Sequence, residues 1–299
     1  MNPVVSVIIP TYGGDATIAR AVRSVLCQNY DSLEVIVVDD NNPDTDARKR
    51  TEQCMKVFLD DKRVHYIQHE KNKNGSAARN TGFSYSKGAY ICLLDDDDIF
   101  LQNKILRQVE FLESHPEFGG CYCWRKQGDS LVCGEYEGDL SKVLLDLSFT
   151  PTTCCLMLRK ECYTSLHGFD ESYYRHQDFE FLLRFFERYK LGVCKEVLVE
   201  LIGNGVNNQP KGKKLYNVKK QFFEQFGAKI EEIDWKEPGF KKRVYAEHYA
   251  RAFKDMVRYG NWWLAIKACA LFGTKGGMQF WKVFFRCCIV GLRERIKKR

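Results

Sequence analysis

Four short runs of strand-forming residues, each followed by polar residues and then by a helical pattern, constrain the fold of this chain most. They are Val4–Ile9, Leu33–Val38, Val64–His69 and Ala89–Leu94. Continuous apolar runs are typical of strands that are buried on both faces. The segment 15–27 repeats apolar residues at helical spacing, with Asp15 as its predicted N-cap. This alternation predicts an α/β domain with a mainly parallel sheet.

Three of the predicted strands end in polar residues: Pro10-Thr11-Tyr12, Asp39-Asp40 and the run Asp95–Asp98. Open α/β sheets bind ligands at the carboxyl ends of their strands, so we expect the site there. If the acidic run is extended, Asp95 and Asp97 share one face, and Asp96 and Asp98 the other. Adjacent carboxylates repel each other unless a hard divalent cation binds them. The run therefore predicts a Mn²⁺ or Mg²⁺ site, the alternative being an acidic loop that caps the next helix.

Four segments, in this order, resemble glycosyltransferase family 2, the inverting transferases with the GT-A fold. The segments are VSVIIPTYGG, EVIVVDDNNPD, NKNGSAARNTGFSYSKGAYICLLDDDD and HGFDESYYRHQDFEFLLR, and together they cover about residues 4–190. The resemblance implies a Rossmann-like GT-A domain that binds a nucleotide-diphosphate sugar. It also implies a divalent metal at the acidic run.

The resemblance further implies a role for individual residues. The nucleotide sugar would be bound by Pro10, Thr11, Tyr12, Asp39, Asp40, Arg79, Asp95 and Asp96, the metal by Asp97, and the catalytic base would be Asp178. An inverting displacement needs one carboxylate to accept the proton of the acceptor hydroxyl, which suits Asp178. The alternative is that Asp178 is the N-cap of the amphipathic helix that follows it.

The sequence departs from the family pattern at two places. Gln177 stands where the family often has Glu, and the loop GNGVNNQP at residues 203–210 has no His, which many relatives use as a metal ligand. His176 is near, and is either structural or faces the acceptor. Side chains such as Arg125, Thr152 and Thr153 are candidates for the pocket that reads the sugar.

Charge and composition change near residue 210, which predicts a catalytic domain over 1–210 and a helical region over 211–299. The second segment is rich in aromatic residues and has 22 Lys and Arg against 8 Asp and Glu. Residues 278–292 repeat Trp281, Phe284, Phe285 and Cys288 at helical spacing. This pattern is typical of a basic helix that lies on a membrane surface. A helix packed on the protein with a solvated basic end is the alternative.

The thirteen cysteines form no C-x-x-C pair and are odd in number, which favours a reducing compartment. The sequence contains no run of about 18 apolar residues, so no membrane-spanning helix is predicted. The first residues lack the pattern of a signal peptide. The expected location is therefore cytoplasmic, with a peripheral membrane position open.

Together these features predict transfer of a hexose or N-acetylhexosamine, with inversion, from a UDP-sugar to a sugar hydroxyl. The acceptor would be a saccharide or lipid-linked saccharide in surface polysaccharide or glycolipid biosynthesis. The alternatives are a metal-dependent sugar nucleotidyltransferase and a non-catalytic nucleotide-sugar-binding protein. No nucleic-acid-binding motif is found, so no nucleic-acid partner is expected.

Overall fold

The computed structural model describes residues 2–203, 213–258, 262–268, 270 and 277–286. The chain divides into two compact units, Met1–Leu140 with Pro151–Val206, and Ser141–Thr150 with Asn207–Arg299. The predicted domain boundary at residues 210 and 211, and most of the Gly/Asn/Lys-rich loop around it, lie outside the described residues. That boundary stays a prediction.

The first unit is built on one nine-stranded sheet. Its strands are β1 Val5–Thr11, β2 Leu33–Asp39, β3 Val64–Gln68, β4 Tyr90–Leu93, β5 Ile99–Phe100, β6 Gly120–Gln127, β7 Ser130–Val132, β8 Leu156–Arg159 and β9 Leu191–Leu201. Their order in the sheet is β3-β2-β1-β4-β8-β6-β9-β5, with β7 paired to β6. The first four strands in this order are parallel, as is β6 with β9, whereas β8 is antiparallel to both of its neighbours. The predicted α/β fold is confirmed.

Helices connect these strands in the first unit. They are α1 Ile18–Leu26, α2 Asp46–Met55, α3 Gly75–Tyr85, α4 Lys104–Ser114, α6 Lys160–Ser165 and α7 Gln177–Phe185, while α5 Ser141–Leu145 belongs to the second unit. The N-cap of α1 is Thr17, so the prediction of Asp15 was wrong. The Asp15 carboxylate instead accepts a 2.6 Å hydrogen bond from Arg50 Nε, which draws it away from the helix start.

Side-chain size explains why α3 lies close to the sheet. The residues buried between α3 and the sheet are Ile8, Val38 and Ala78. A Cβ atom at Gly82 would overlap the Ile8 side chain, so only glycine allows this approach. The close packing fixes the position of α3, and with it the position of Arg79 one turn earlier.

The second unit contains three further helices, α8 Lys213–Lys236, α9 Phe240–Arg258 and α10 Trp262–Ala268. Residues 277–286 are also helical. Phe222 and Phe223 of α8 are buried and stack on His248 and Tyr249 of α9. The predicted helical character of this region is confirmed. The predicted helix over 278–292 is described only as far as residue 286, and the rest of it, with the basic end, lies outside the described residues.

Among the described helices, none is both long enough and apolar enough to cross a bilayer.

Candidate active site

The strand register brings three of the predicted polar segments to one edge of the sheet. Thr11, the last residue of β1, pairs with Asp39, the last residue of β2. On the other side of β1, Ile8 pairs with Leu93, and the acidic run follows directly after β4. This is the carboxyl edge of the parallel strands, where the sequence places the site.

The acidic run forms a turn, so the predicted alternation of its side chains was wrong. The Asp98 amide donates to the Asp95 carbonyl at 3.1 Å, and a hydrogen bond between residues i and i+3 reverses the chain. The turn brings the ends of the run together. One ligand atom each from Asp95, Asp98 and Cys154 lie within 4.8 Å of one another, which makes these residues a candidate metal group.

Asp96 turns inward and holds the β1 end of the site. Its Oδ2 accepts a hydrogen bond of 2.5 Å from the Thr11 hydroxyl. Burial, together with the charges of Asp97 and Asp95, raises the pKa of Asp96 to about 7, although the Thr11 hydrogen bond opposes this shift. A Cβ atom at Gly14 would overlap the Asp96 carboxyl, so this contact requires glycine.

Asp98 is buried and fixes the other side of the turn. Its Oδ1 accepts hydrogen bonds from the amides of Ile202 at 3.0 Å and Gly203 at 3.4 Å, and its Oδ2 accepts from the Cys154 thiol at 3.4 Å. Burial raises the pKa of the Cys154 thiol well above its ordinary value. Burial also raises the pKa of Asp98 to about 6. A protonated thiol is a poor ligand for a hard cation, which prefers oxygen.

The remaining two carboxylates of the turn face the solvent in part. The side chain of Asp95 is 40% exposed, and Asp97 is half-buried. Arg20 donates to the Asp97 carbonyl at 2.8 Å, which holds the backbone of the turn. The oxygen donors of Asp95 and Asp97 therefore fit Mn²⁺ or Mg²⁺ better than the Asp98–Cys154 side of the turn does. The role of Asp97 as metal ligand stays a prediction.

Arg79 of α3 joins the acidic turn to the start of α7. Its Nη2 donates to Asp95 Oδ1 at 2.8 Å and its Nη1 donates to Gln177 Oε1 at 3.0 Å. The guanidinium also lies 5.6 Å from the ring centroid of Phe169. Its Nε is buried, and no described atom accepts its hydrogen. Arg79 thus brings the predicted metal end and the predicted base end of the site together.

Asp178 lies in the first turn of α7. The N-cap of this helix is His176, which has a left-handed backbone with a φ of 64°, so the alternative interpretation of Asp178 as the N-cap was wrong. Burial raises the pKa of Asp178, whereas the Phe179 amide and the positive charges of Arg175 and Arg79 lower it. The result is a carboxylate held near a helix N-terminus with raised basicity, which suits a general base.

Asp39 is fully buried, and protein groups contact both of its carboxylate oxygens. Oδ1 accepts from the Asn41 amide at 2.9 Å and from the Asn41 side chain at 2.8 Å. Oδ2 accepts from the Tyr66 hydroxyl and lies 3.1 Å from Arg48 Nε. The side-chain oxygen of Asn41, Oδ1, in turn accepts a hydrogen bond from the Gly13 amide at 2.9 Å. Asp39 therefore shapes the loop after β2, and its contact with a nucleotide stays a prediction.

Asp40 is also buried and organises the segment before α3. It accepts from His69 Nδ1 at 2.7 Å, from the Asn72 side chain at 2.8 Å, and from the amides of Lys73 at 2.8 Å and Asn74 at 2.9 Å. These partners were not foreseen from the sequence. One local pattern indicates a structured segment here: Asn72 and Asn74 stand just before α3, and Asn74 is the N-cap of that helix.

The other predicted binding residues differ in exposure. Pro10 is half-buried within β1 and Thr11 is buried, whereas the Tyr12 ring is 65% exposed at the strand end. An exposed aromatic ring beside a polar edge suits stacking on a nucleotide base. Of the sugar-pocket candidates, Arg125 lies on β6, and Thr152 and Thr153 lie just before β8, directly before Cys154 of the candidate metal group. Their contact with a sugar stays a prediction.

Comparison with known proteins gives one family. Residues 6–134 match the model of glycosyl transferase family 2. An uncharacterized glycosyltransferase of Rickettsia prowazekii (strain Madrid E) is 30% identical over 210 residues, which are 67% of this chain and 64% of the relative. The Escherichia coli protein UDP-Glc:alpha-D-GlcNAc-diphosphoundecaprenol beta-1,3-glucosyltransferase WfgD is 35% identical over 108 residues, or 36% of this chain and 40% of the relative.

The fold is shared with a solved structure, S. aureus TarS 1–349 in complex with UDP-GlcNAc. It superimposes with a TM-score of 0.63 over 94% of this chain and 90% of TarS 1–349, at 14% identity. Likeness at this identity concerns the fold alone. The matched segments span between 17% and 64% of the length of the first four curated relatives.

Proposed function

Because the chain carries a glycosyltransferase family 2 domain, we propose that it transfers a hexose or N-acetylhexosamine, with inversion, from a nucleotide-diphosphate sugar to a sugar hydroxyl. The observation that supports this proposal best is the bridge through Arg79. It places the acidic turn and the first turn of α7 on either side of one guanidinium. A single displacement needs these two ends, one for the leaving diphosphate and one for the attacking hydroxyl.

Asp178 is the proposed base. Its carboxylate would accept the proton of the acceptor hydroxyl while the oxygen of that hydroxyl attacks the anomeric carbon. Burial raises the pKa of Asp178 and so makes its carboxylate more basic, while the nearby charges of Arg175 and Arg79 oppose that rise. Gln177 supports this division of roles, because a neutral amide at that position binds Arg79 without adding a second base.

Asp97, with Asp95 beside it, is the proposed holder of a Mn²⁺ or Mg²⁺ ion. When bound, the ion would neutralise the charge that develops on the departing diphosphate. Asp96 and Asp98 keep the turn in shape through the hydroxyl of Thr11 and the amides of Ile202 and Gly203. Arg79 would add positive charge next to the same leaving group.

The donor is proposed to be a UDP-sugar. The names of WfgD and of the TarS complex both contain UDP, and the edge formed by Thr11, Tyr12 and Asp39 lies where such folds bind nucleotides. The relative WfgD acts, by its name, on a sugar linked to diphosphoundecaprenol. We propose that this chain acts in assembly of a surface polysaccharide or glycolipid, with a saccharide or lipid-linked saccharide acceptor, at the cytoplasmic face of a membrane to which it binds peripherally.

The test is a screen of the purified chain against UDP-, GDP- and dTDP-sugars, with Mn²⁺ or with EDTA, that measures nucleotide release. We expect metal-dependent release from a UDP-sugar that is lost in Asp97→Asn and Asp178→Asn. Asp129→Asn is the matched control, because Asp129 lies exposed in the β6–β7 turn. The screen also measures nucleotide binding. If the chain binds UDP tightly but shows no turnover even when a lipid-linked acceptor is added, it is a nucleotide-sugar-binding protein instead. If it binds no nucleotide, the proposal is wrong.

A further inference from the structure

Two helical segments of the second unit have apolar residues on two faces. In α10, Ala265 is buried, while Trp262, Trp263 and Ile266 are exposed. In residues 277–286, Phe280 and Val283 are buried, and Met278, Trp281 and Phe285 are exposed. A helix on the surface of a globular protein normally has one apolar face, and its other face is polar.

The buried faces account for the folding of both segments. Ala265 packs with Ala252 and Met256 of α9. Phe280 lies 5.8 Å, centroid to centroid, from Phe253 of the same helix. Both segments therefore sit against the C-terminal half of α9. Among the described residues, Trp281 contacts Phe253 at 6.2 Å and Phe280 at 5.1 Å, centroid to centroid, through one part of its ring, and the rest of the ring stays exposed.

The exposed apolar side chains are large, and they recur along each helical segment. Trp262 is 60% and Trp263 is 81% exposed, with Ile266 one turn further. Met278, Trp281 and Phe285 follow one another at three- and four-residue spacing, which is one helix face. Monomeric soluble proteins rarely expose apolar patches of more than a few hundred square ångströms, and such patches mark interaction sites.

Charge identifies the partner. Neither 262–268 nor 277–286 contains an Asp or a Glu. Lys267 and Lys282 are exposed next to Ile266 and Trp281. Tryptophan and phenylalanine side chains flanked by lysine are the composition that binds the interface of an anionic bilayer, because the rings enter the headgroup region while the ammonium groups contact lipid phosphates.

We propose that the exposed side chains of Trp262, Trp263, Ile266, Met278, Trp281 and Phe285, here called the aromatic face, bind the surface of an anionic lipid bilayer. This proposal names the membrane-contacting surface, and its use in catalysis rests on the proposed function, since a lipid-linked acceptor lies in that bilayer. The lysines draw the chain to the anionic surface, and burial of the rings then holds it there.

The test is co-sedimentation of the full chain with vesicles of phosphatidylcholine alone or with phosphatidylglycerol added. We expect binding that requires the anionic lipid and weakens with salt. Trp262→Ser with Trp263→Ser and Trp281→Ser should weaken partitioning by about tenfold or more. The matched control is Trp235→Ser, because Trp235 is 82% exposed in the same unit but lies at the end of α8. The following helix, α9, begins at Phe240, about 18 Å along its axis from Ala252.

Three results would overturn the proposal. The first is that the chain does not bind anionic vesicles, and the second is that the triple variant binds them as well as the original chain does. The third is that the original chain forms a dimer and the triple variant does not, which would make the aromatic face a contact between copies. Release of nucleotide from a UDP-sugar without acceptor is measured in parallel. It should be the same in the triple variant, so loss of vesicle binding and failure of the proposed activity are told apart.

Discussion

The carboxyl edge of the sheet and the aromatic face of the second unit are built on opposite principles. At the edge, the carboxyl groups of Asp39, Asp40 and Asp98 are buried and that of Asp96 is half-buried, and each is held by named hydrogen bonds. On the aromatic face, large rings are left in water. Function at the edge depends on where atoms lie, so one substitution disturbs its neighbours. Function at the face depends on what the surface is made of, so one substitution removes only its own contribution.

The largest effect is expected for Asp178→Asn. Loss of the base should lower kcat by about 10²- to 10⁴-fold. The dissociation constant for UDP with Mn²⁺ should change little, because Asn keeps the size of the side chain in the first turn of α7. Steady-state rates and calorimetric UDP binding measure the two quantities. A kcat within a few-fold of the original would place the base elsewhere and break the contrast between the two regions at its strongest point.

The glycines after β1 test how tightly the edge is packed. Gly14→Ala would place a methyl group on the Asp96 carboxyl and within 2.8 Å of the Thr11 hydroxyl. Overpacking of this kind costs about 1–3 kcal/mol, and we expect turnover to fall about tenfold as the acidic turn shifts. Gly13→Ala is the matched control. Gly13 has a φ of +70° with open space around its Cβ position among the described residues, so only the left-handed backbone cost of about 1 kcal/mol applies. Denaturant unfolding and UDP release measure both variants, and equal effects would contradict the packing of Asp96 on Gly14.

The contrast also explains what the sequence could predict. The strands β1, β2 and β4 and the helices between them follow from local patterns, because burial on both faces requires continuous apolar runs. Their shared edge follows from parallel register, and the order of four motifs indicated the family. The shape of the acidic turn could not be predicted. It depends on hydrogen bonds to Cys154 and Ile202, which are distant in sequence, and local alternation therefore gave the wrong faces.

The same limit applies to the other site residues. Asp39 has one local partner, Asn41, but its other carboxylate oxygen binds Tyr66 of β3. The partners of Asp40 follow β3 in the chain, and no local rule connects them to Asp40. The bridge from Arg79 to Gln177 joins positions that are 98 residues apart. For the second unit, composition indicated a basic aromatic surface, but it placed that surface on residues 278–292 alone. Which rings are exposed depends on how α10 and 277–286 pack on α9.

The pH dependence of the two regions should differ. Burial raises the pKa of Asp178 above its ordinary value, and the base acts in its ionised form. Activity should therefore rise with pH up to that pKa, by about tenfold per pH unit below it. The low residual activity of Asp178→Asn should lack this rise. Vesicle binding should stay constant over the same range, because neither tryptophan nor lysine titrates there. An acid limb that persists in Asp178→Asn would assign the titration to another group.

The smallest effect on stability is expected for Trp263→Ser. This variant tests whether the Trp263 ring of the aromatic face is exposed to solvent. Trp263 is 81% exposed, so its loss should change the free energy of unfolding by no more than about 0.5 kcal/mol. Phe222→Ala in the same unit is the comparison, because Phe222 is fully buried and its removal should cost about 3–5 kcal/mol. Chemical denaturation followed by far-UV circular dichroism measures both. If Trp263→Ser lowered the free energy of unfolding as much as Phe222→Ala does, the Trp263 ring would be packed against protein in solution. The contrast between the two regions would then fail.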